Sequence, residues 1–478
     1  MNASPPSPHS LIADPAYFRL KDSLIAWTGL AYYADKDREL AERIVQRLAK
    51  VGVRGCDPYL ALLESGQPGQ IELDALIADL TIGETFFFRH REMFDALRTT
   101  VIPDRIAQNQ GSRQLRIWSA GCSTGAEAYT IAILLKRELA QSLAGWDITI
   151  VGTDINRTFL ARAREGIFEE WAFRSIPEDV KRSCFTRSGN LWEINPEYKE
   201  GVSFQYHNLV THPFPSMLNN LFAFDVILCR NVTIYFSQEI VRQLIGHFHQ
   251  SLVEGGWLLV GHSEPNMVFF RSFRTVNAPG AVLYQKSEEG SPSTEVGSTF
   301  SFTAYQPQPV AKPTWEPVAL SGIAPFLPSV QPAQTPATSI APIRSEDADL
   351  AEVRSFADRG EWHKAEDRCR EMQDRNKLNP RVYFYQGLVL EQMGRHADAE
   401  SALRRVIYLD RSFVFGHYYL GLLLQKNGKM PQAALSFRNV LQILARTDAK
   451  QVFADGDGIS AGELRTLTEM NLNVLEGA

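Results

Sequence analysis

Cysteine, long apolar runs and net charge are all scarce in this sequence. The chain has 478 residues and five cysteines, at 56, 122, 184, 229 and 369. They are scattered, odd in number and form no CxxC pair. That argues against a disulfide framework or a zinc cluster and fits a reducing compartment. No run of about 18 apolar residues occurs, so no transmembrane helix is expected. The opening MNASPPSPHS has no basic stretch and no apolar stretch, so no signal peptide is expected. With 49 Lys and Arg against 55 Asp and Glu the net charge is −6, which gives no global pull toward nucleic acid or an anionic membrane. HSE at 262–264 resembles part of a catalytic dyad, but His262 reads as structural.

The composition is otherwise globular, with 44% hydrophobic and 22% charged residues, which excludes a wholly disordered chain. At about 150 residues per domain, roughly three units are expected. Residues 1–14 are expected to be disordered and 15–90 helical, since Tyr17, Leu20, Leu24, Trp27 and Leu30 recur at helical spacing, as do Leu40, Ile44, Val45 and Leu48. From 112 to 286, apolar strand-like runs (LRIWSAG, DITIVGTD, FDVILCRN, WLLVGHSE, AVLYQK) alternate with amphipathic segments, the pattern of a mostly parallel α/β sheet. Residues 287–345 hold ten prolines and few charges and read as a disordered Pro/Ser-rich linker. The halves on either side are expected to be tethered and not packed together.

Residues 346–446 carry an internal repeat of period 34. Val353, Gly387 and Gly421 align, as do Phe356, Leu390 and Leu424, then Gly360, Gly394 and Gly428, then Ala365, Ala399 and Ala433. Small residues at that period mark tetratricopeptide (TPR) repeats, a C-terminal α-solenoid. Residues 447–478 are expected to supply a capping helix, because a solenoid end needs a polar outer face.

Four segments carry candidate chemistry. In RIWSAGCSTGAEAYTIAILL a strand runs into a small-residue turn and then a helix, a place where backbone amides can approach a ligand or merely make a tight turn. Ser123 stands where a dinucleotide motif has its second glycine, and Glu127 in the first helical turn suits a cationic ligand better than a pyrophosphate. Asp154 ends the second strand, where an acid either accepts from ribose hydroxyls or caps the next helix. Arg230 and Asn231 follow the FDVILC strand at its carboxyl end, the ligand-binding edge of open α/β sheets. Tyr235 lies just beyond, and on spacing alone aromatic packing explains it. In TIGETFFFRHREMF three phenylalanines must pack inward, and Arg89 beside them is either a core-edge residue or an anion contact.

Taken in order, GETFFFR, SAGCSTGAEAYTIA, GTDIN, and FDVILCRNVTIYF followed by LVEGGWLLVGHSE resemble the chemoreceptor protein-glutamate methyltransferase (CheR) family, over about residues 15–286. The resemblance implies a multidomain α and α/β fold. An N-terminal helical receptor-docking domain (15–90) would precede a Rossmann-like class I methyltransferase domain (91–286) that binds S-adenosylmethionine (SAM), with a small β subdomain inserted at about 169–206. It also implies roles. Thr85 and Arg89 would contact the cofactor, with Gly83 where the family has asparagine, so that only backbone remains there. Glu127, Asp154 as the ribose acid, Asn208 and Leu209 on the adenine side, and Arg230 and Asn231 would complete the cofactor site. Arg89 and Tyr235 would line the methyl-transfer site, and no metal is called for.

The implied activity is transfer of a methyl group from SAM to glutamate side chains of a chemoreceptor, leaving S-adenosylhomocysteine (SAH) and tuning adaptation in chemotaxis or a chemotaxis-like pathway. The partners would be the receptor's cytoplasmic domain and a protein or peptide at the TPR groove, with no nucleic acid and no membrane insertion. The enzyme would be cytoplasmic and recruited to receptor arrays. Arg43, Arg47, Lys50 and Arg54 fall on one helix face at helical spacing, either as a docking surface for an acidic receptor helix or as a solvated stripe. The alternative is a TPR scaffold that binds cofactor without turnover, with Gly83 its only support.

Overall fold

The apolar stripes near the N-terminus close a helical domain of α1 (Pro8–Ile12), α2 (Tyr17–Thr28), α3 (Asp37–Val51), α4 (Cys56–Leu63) and α5 (Gln67–Leu80). The molecule is seen here as a computed structural model, which describes residues 7–264, 268–287, 346–453 and 455–476. Leu20, Leu24, Leu40, Ile44 and Leu48 are buried together, as the spacing predicts. Two expectations are corrected. Helix α1 lies inside the stretch expected to be disordered, because Leu11 buries itself against α3. The basic stripe is not one face: Gly52 ends α3 in a left-handed conformation, which leaves Arg54 beyond the helix. Arg47 is turned inward, with its Nε 2.9 Å from Glu72 Oε1. Arg43 and Lys50 remain exposed, Lys50 with its Nζ 3.5 Å from Asp79.

The α/β part contains α6 (Arg91–Ala96), α7 (Ile102–Gln108), α8 (Ala126–Glu138), α9 (Arg157–Glu165), α10 (Glu178–Cys184), α11 (Pro196–Lys199) and α12 (Gln238–Ser251). Its strands are β1 (Gln114–Ala120), β2 (Asp147–Asp154), β3 (Ile167–Glu169), β4 (Phe185–Ser188), β5 (Leu191–Ile194), β6 (Val202–Tyr206), β7 (Phe224–Cys229), β8 (Leu252–Val260), β9 (Phe273–Ala278) and β10 (Ala281–Lys286). The main sheet runs β6-β2-β1-β7-β8-β10-β9. Its first five strands are parallel, and β10 is antiparallel to both neighbours. Chain order reverses between β1 and β7, so their carboxyl ends splay connections apart and leave a crevice. Buried apolar residues on both faces of β1 and β7 suit a sheet covered by helices.

The inserted sheet is β3-β5-β4. Residues 202–206, expected inside the insert, form β6 of the main sheet and pair with β2. Phe87 is the anchor of the triple phenylalanine. Its ring centroid lies 4.8 Å from Phe168, 5.3 Å from Phe173 and 4.8 Å from Phe185. The TIGETFFFR segment is thereby pinned between the insert and the α/β core.

The repeat region folds as three helix pairs, α13 (Glu346–Asp358) with α14 (Trp362–Arg375), α15 (Pro380–Gln392) with α16 (His396–Leu409), and α17 (Val414–Lys426) with α18 (Met430–Leu444), followed by α19 (Ala461–Glu476). Gly360, Gly394 and Gly428 each turn within a pair at φ of 75°, 72° and 73°, a conformation glycine adopts without strain. A Cβ on Gly387 would sit 2.9 Å from Leu403, and one on Gly421 2.7 Å from Phe437, which explains the small residue where paired helices touch. This is a TPR-type solenoid. The stretch expected to be a linker lies, from residue 288, outside the described residues.

The expectation that the two halves do not pack is also corrected. Met217, Phe222 and Ala223 of the α/β domain belong to the same apolar cluster as the repeats. Linker composition is silent about this, since a flexible tether leaves both flanking surfaces free to meet.

Candidate functional site

At the crevice between β1 and β7 a cleft opens, walled by four segments of the α/β domain and by the N-terminal domain. The β1–α8 turn forms its floor. Gly121 has φ of 76°, and a Cβ there would come 2.3 Å from Val232. The amides of Gly121 and Cys122 both donate to Thr153 O, at 2.8 and 2.9 Å. Ser123 N donates to Asp154 Oδ2 at 2.9 Å. These amides therefore clamp the turn to the tip of β2 and do not face the cleft as free donors.

Asp154 accepts a second backbone bond, from Asn156 N at 2.8 Å. The cap of α9 is Asn156, whose Oδ1 accepts from Thr158 N and Phe159 N. The capping alternative for Asp154 is thus taken by its neighbour. Burial pushes the Asp154 carboxyl up to about 6, against the pull of the Asn156 and Ser123 amides.

Glu127 points back across the cleft. Its Oε1 accepts from Ser119 Oγ at 2.7 Å and its Oε2 from Arg230 Nη1 at 2.8 Å. Arg230 also donates to Arg89 O, which ties the end of β7 to the phenylalanine segment. Arg89 itself donates to Glu84 O at 2.8 Å and lies over the Phe86 ring. Thr85, Asn231 and Leu209 line the cleft as expected. Asn208 lines it too, but its side chain is committed: Nδ2 donates to Trp27 O at 2.7 Å and Oδ1 accepts from Val210 N at 2.9 Å. Tyr235 packs edge-on against Tyr32, at 5.9 Å between centroids. Burial raises its hydroxyl pKa, and the nearby Arg89 works in the opposite direction.

Gly83 alone among the expected residues is not on the cleft wall, although Ile82 and Glu84 are. Its carbonyl accepts from Ser123 Oγ at 3.2 Å. A Cβ at Gly83 would lie 2.5 Å from Phe159 Cζ. The missing side chain thus leaves no hole, because the Phe159 ring fills it.

Four contributors were not read from the sequence. Tyr32 and Tyr33 come from the N-terminal domain and line the cleft, so that domain builds part of the site. Glu264 holds the loop after β7: its carboxylate accepts from Gly261 N, Asn231 N, Val232 N, Thr233 N and Thr233 Oγ1, all between 2.6 and 3.0 Å. The HSE string was the visible signal, and its glutamate, not its histidine, organises the site. His207 lines the cleft with Nε2 buried and without a hydrogen-bond partner. Burial holds its pKa down to about 3, so the ring is neutral.

The family model described as "CheR methyltransferase, SAM binding domain" matches residues 83–281. A chemotaxis protein methyltransferase of Borreliella burgdorferi is 34% identical over 236 residues, 48% of this chain and 81% of that one. The chain belongs to the CheR methyltransferase family. A probable biofilm formation methyltransferase of Pseudomonas aeruginosa, WspC, is 24% identical over 393 residues, 81% of this chain and 89% of that one. Among solved structures, the Yersinia enterocolitica type III secretion chaperone SycD with a peptide of the translocator YopD matches at 13% identity. It covers 28% of this chain and 97% of that one, and at a TM-score of 0.25 the likeness carries no argument.

The CheR-family cleft fits a SAM-type methyl donor by its donor set. Such a donor combines a purine, a ribose, an amino acid and a cationic sulfur. The cleft offers a carboxylate at Asp154 for hydroxyl groups and a Glu127–Arg230 pair for a zwitterion. Arg230 Nε is buried without a partner, and Ile155, Phe159 and Leu209 supply apolar wall. No helix of the described residues is long and apolar enough to cross a membrane.

Proposed function

We propose that this CheR-family methyltransferase esterifies glutamate side chains of a chemoreceptor, using SAM and releasing SAH. The observation that carries the reading is the convergence of Thr85, Arg89, Glu127, Asp154, Leu209, Arg230, Asn231 and Tyr235, drawn from segments far apart in sequence, on one cleft at the sheet's switch point. In this reading Asp154 accepts from the ribose, Asn208 and Leu209 flank the adenine, and Glu127 with Arg230 holds the amino-acid end. Thr85 and Asn231 contact the cofactor from opposite walls, and Gly83 supports it only through Ser123. Bound SAM supplies an electrophilic methyl on a sulfonium.

The chemistry asks little of the protein in acid or base. A glutamate side chain with pKa of about 4.3 is already a carboxylate at neutral pH. Arg89 orients that carboxylate, Tyr235 and Tyr32 wall the site against water, and alignment is the main contribution. The scaffold alternative rests on Gly83 alone, and the packing of Phe159 into the space of the missing side chain counts against reading that position as a defect.

Receptor choice is assigned to the N-terminal domain through exposed Arg43, Lys50 and Arg54, and not through Arg47, which Glu72 holds. The repeats are assigned a protein or peptide partner. The relative named for biofilm formation spans both parts of the chain, which favours a chemotaxis-like surface pathway. The enzyme acts in the cytoplasm at receptor arrays. The test is transfer of labelled methyl from SAM to receptor cytoplasmic fragments, followed by alkaline release of methanol. Base-labile label on the receptor is expected. No label on any receptor fragment, with SAM still bound by calorimetry, would replace the reading with the scaffold.

A further inference from the structure

The loop from β6 to β7 has one end in the cleft and its middle in the solenoid. It leaves β6 through His207, Asn208 and Leu209, which line the cleft. It closes into a tight turn in which Ser216 N donates to Leu221 O at 2.8 Å and Leu221 N returns to Ser216 O at 2.9 Å. It then enters β7, whose far end carries Arg230 and Asn231. The turn lies against the first helices of the repeat pairs. Tyr419 of α17 donates to Leu218 O. Ala223 N donates to Asp358 O, at the end of α13, at 3.2 Å. Phe222 meets Trp362 edge-on at 5.7 Å between centroids. Met217, Phe222 and Ala223 are all under 8% exposed.

The segment between α18 and α19 closes the same face. Asp457 accepts from Ser216 Oγ at 2.7 Å and pairs with Arg354 of α13. Arg381 of α15 donates to Asp455 at 2.7 Å. The face formed by α13, α15 and α17 thus carries two segments of its own chain.

We infer that the solenoid's binding face is committed in cis to loop 216–223, so that the solenoid braces the cofactor side of the cleft and a partner seeking that face must displace the brace. Three points support the coupling. The docked turn and the cleft residues His207–Leu209 share one short loop, with His212 N bonded to Asn208 O at 3.0 Å. The α/β domain holds the turn through Leu221, buried in its own apolar cluster, and through two polar bonds, Arg116 Nη2 to Asn220 Oδ1 at 2.8 Å and Gln205 Nε2 to Asn219 O at 2.7 Å. The apolar cover of Met217 and Phe222 comes from the repeats. Without it Met217 and Phe222 would meet water, and the loop would keep only the anchors Phe214 and Leu221 to order it. By linkage, a ligand that orders His207–Leu209 strengthens docking by the factor that docking strengthens the ligand. A competing partner would therefore be an apolar peptide with an aromatic anchor, and its binding would loosen the cofactor site. Only the ligand arm of the test rests on the proposed cofactor reading.

The experiment is amide hydrogen exchange on the full chain, comparing wild type with Trp362→Ala and, as a milder change that keeps the packing, Tyr419→Phe. Exchange at 216–223 and at 207–211 is expected to quicken together, by roughly tenfold for one lost bond or contact, with α8 unchanged. Affinity for SAH, measured by calorimetry on the same samples, is expected to fall by a similar factor. If 216–223 opens while 207–211 keeps its wild-type rate, the brace is refuted. No change at 216–223 in either variant refutes it as well. Should Trp362→Ala not fold, Tyr419→Phe decides by the same two rates. If wild type does not bind SAH, the cofactor reading fails, and the exchange rates still decide the coupling.

Discussion

Arg230 and Glu127 form an ion pair at 2.8 Å inside the cleft, with side chains only 3% and 13% exposed. A charge so enclosed is costly when its partner is removed, by about 3 kcal/mol or more. Arg230→Met should therefore lower the denaturant midpoint more than Glu127→Gln, which leaves the guanidinium its bond to Arg89 O. The double variant should cost less than the two changes summed, because no buried charge is stranded. If Glu127 also meets the cofactor, Glu127→Gln weakens SAH binding by roughly tenfold or more, read by calorimetry. Wild-type affinity in that variant would confine Glu127 to a structural role.

At Gly83 the sequence suggested a lost contact, whereas the structure points to a swap in packing. Gly83→Asn, which restores the family's residue, drives its Cβ into the Phe159 ring at 2.5 Å. Overpacking of this kind costs about 1–3 kcal/mol. The single variant should melt lower and bind SAH less well. Adding Phe159→Leu should recover stability, since a smaller side chain makes room. A Gly83→Asn protein as stable as wild type would show that the ring moves freely.

Much of this site was legible because strand ends are. An acid at the tip of β2 and an Arg-Asn pair after β7 occupy positions that any parallel sheet delivers to one edge, so Asp154, Arg230 and Asn231 could be named from residues alone. The TPR pairs were legible for a similar reason, a period of 34 with glycine at each turn. What failed were statements about what a surface meets. Helical spacing put Arg47 on a face but said nothing of Glu72, which lies on another helix. The small-residue turn left two readings open, amides offered to a ligand or only a tight turn, and nothing local said that Thr153 and Asp154 take those amides. The loop at 216–223 has no periodicity, and its partners lie beyond a long intervening segment, so no local pattern could announce that contact. Glu264 was visible as part of HSE, yet its role depends on amides more than 30 positions away.

The basic stripe of α3 gives a prediction that separates structure from docking. Arg47→Ala strands Glu72, which is 5% exposed and also accepts from Tyr59 at 2.6 Å. It should cost about 3 kcal/mol of stability. Arg43→Glu and Lys50→Glu alter exposed charges and should leave the melting temperature nearly unchanged. They should raise KM for an acidic receptor fragment by roughly twofold to fivefold each, an effect that shrinks as salt is added. Unchanged KM at low salt in the paired variant would move receptor docking off this helix.

Asp154 sets a pH dependence whose sign follows from its environment. Its carboxyl sits at about 6 in the folded chain against 3.8 for the free group, with burial the main cause. A raised carboxyl pKa means that folding favours the protonated form. The stability from that preference is fully present below about pH 4 and is lost as pH rises through 6. On the proposed ribose role of Asp154, ligand binding runs the other way, because only the ionised carboxylate would accept from both hydroxyls. Affinity for SAH should therefore be flat above about pH 7 and fall toward tenfold per pH unit below about 6. Asp154→Asn should bind weakly at every pH and show no step near 6. Calorimetric titrations between pH 5 and 8 test both statements. A wild-type profile without a step near 6 would remove Asp154 from the ribose site, while a step that survives in Asp154→Asn would assign it to another group.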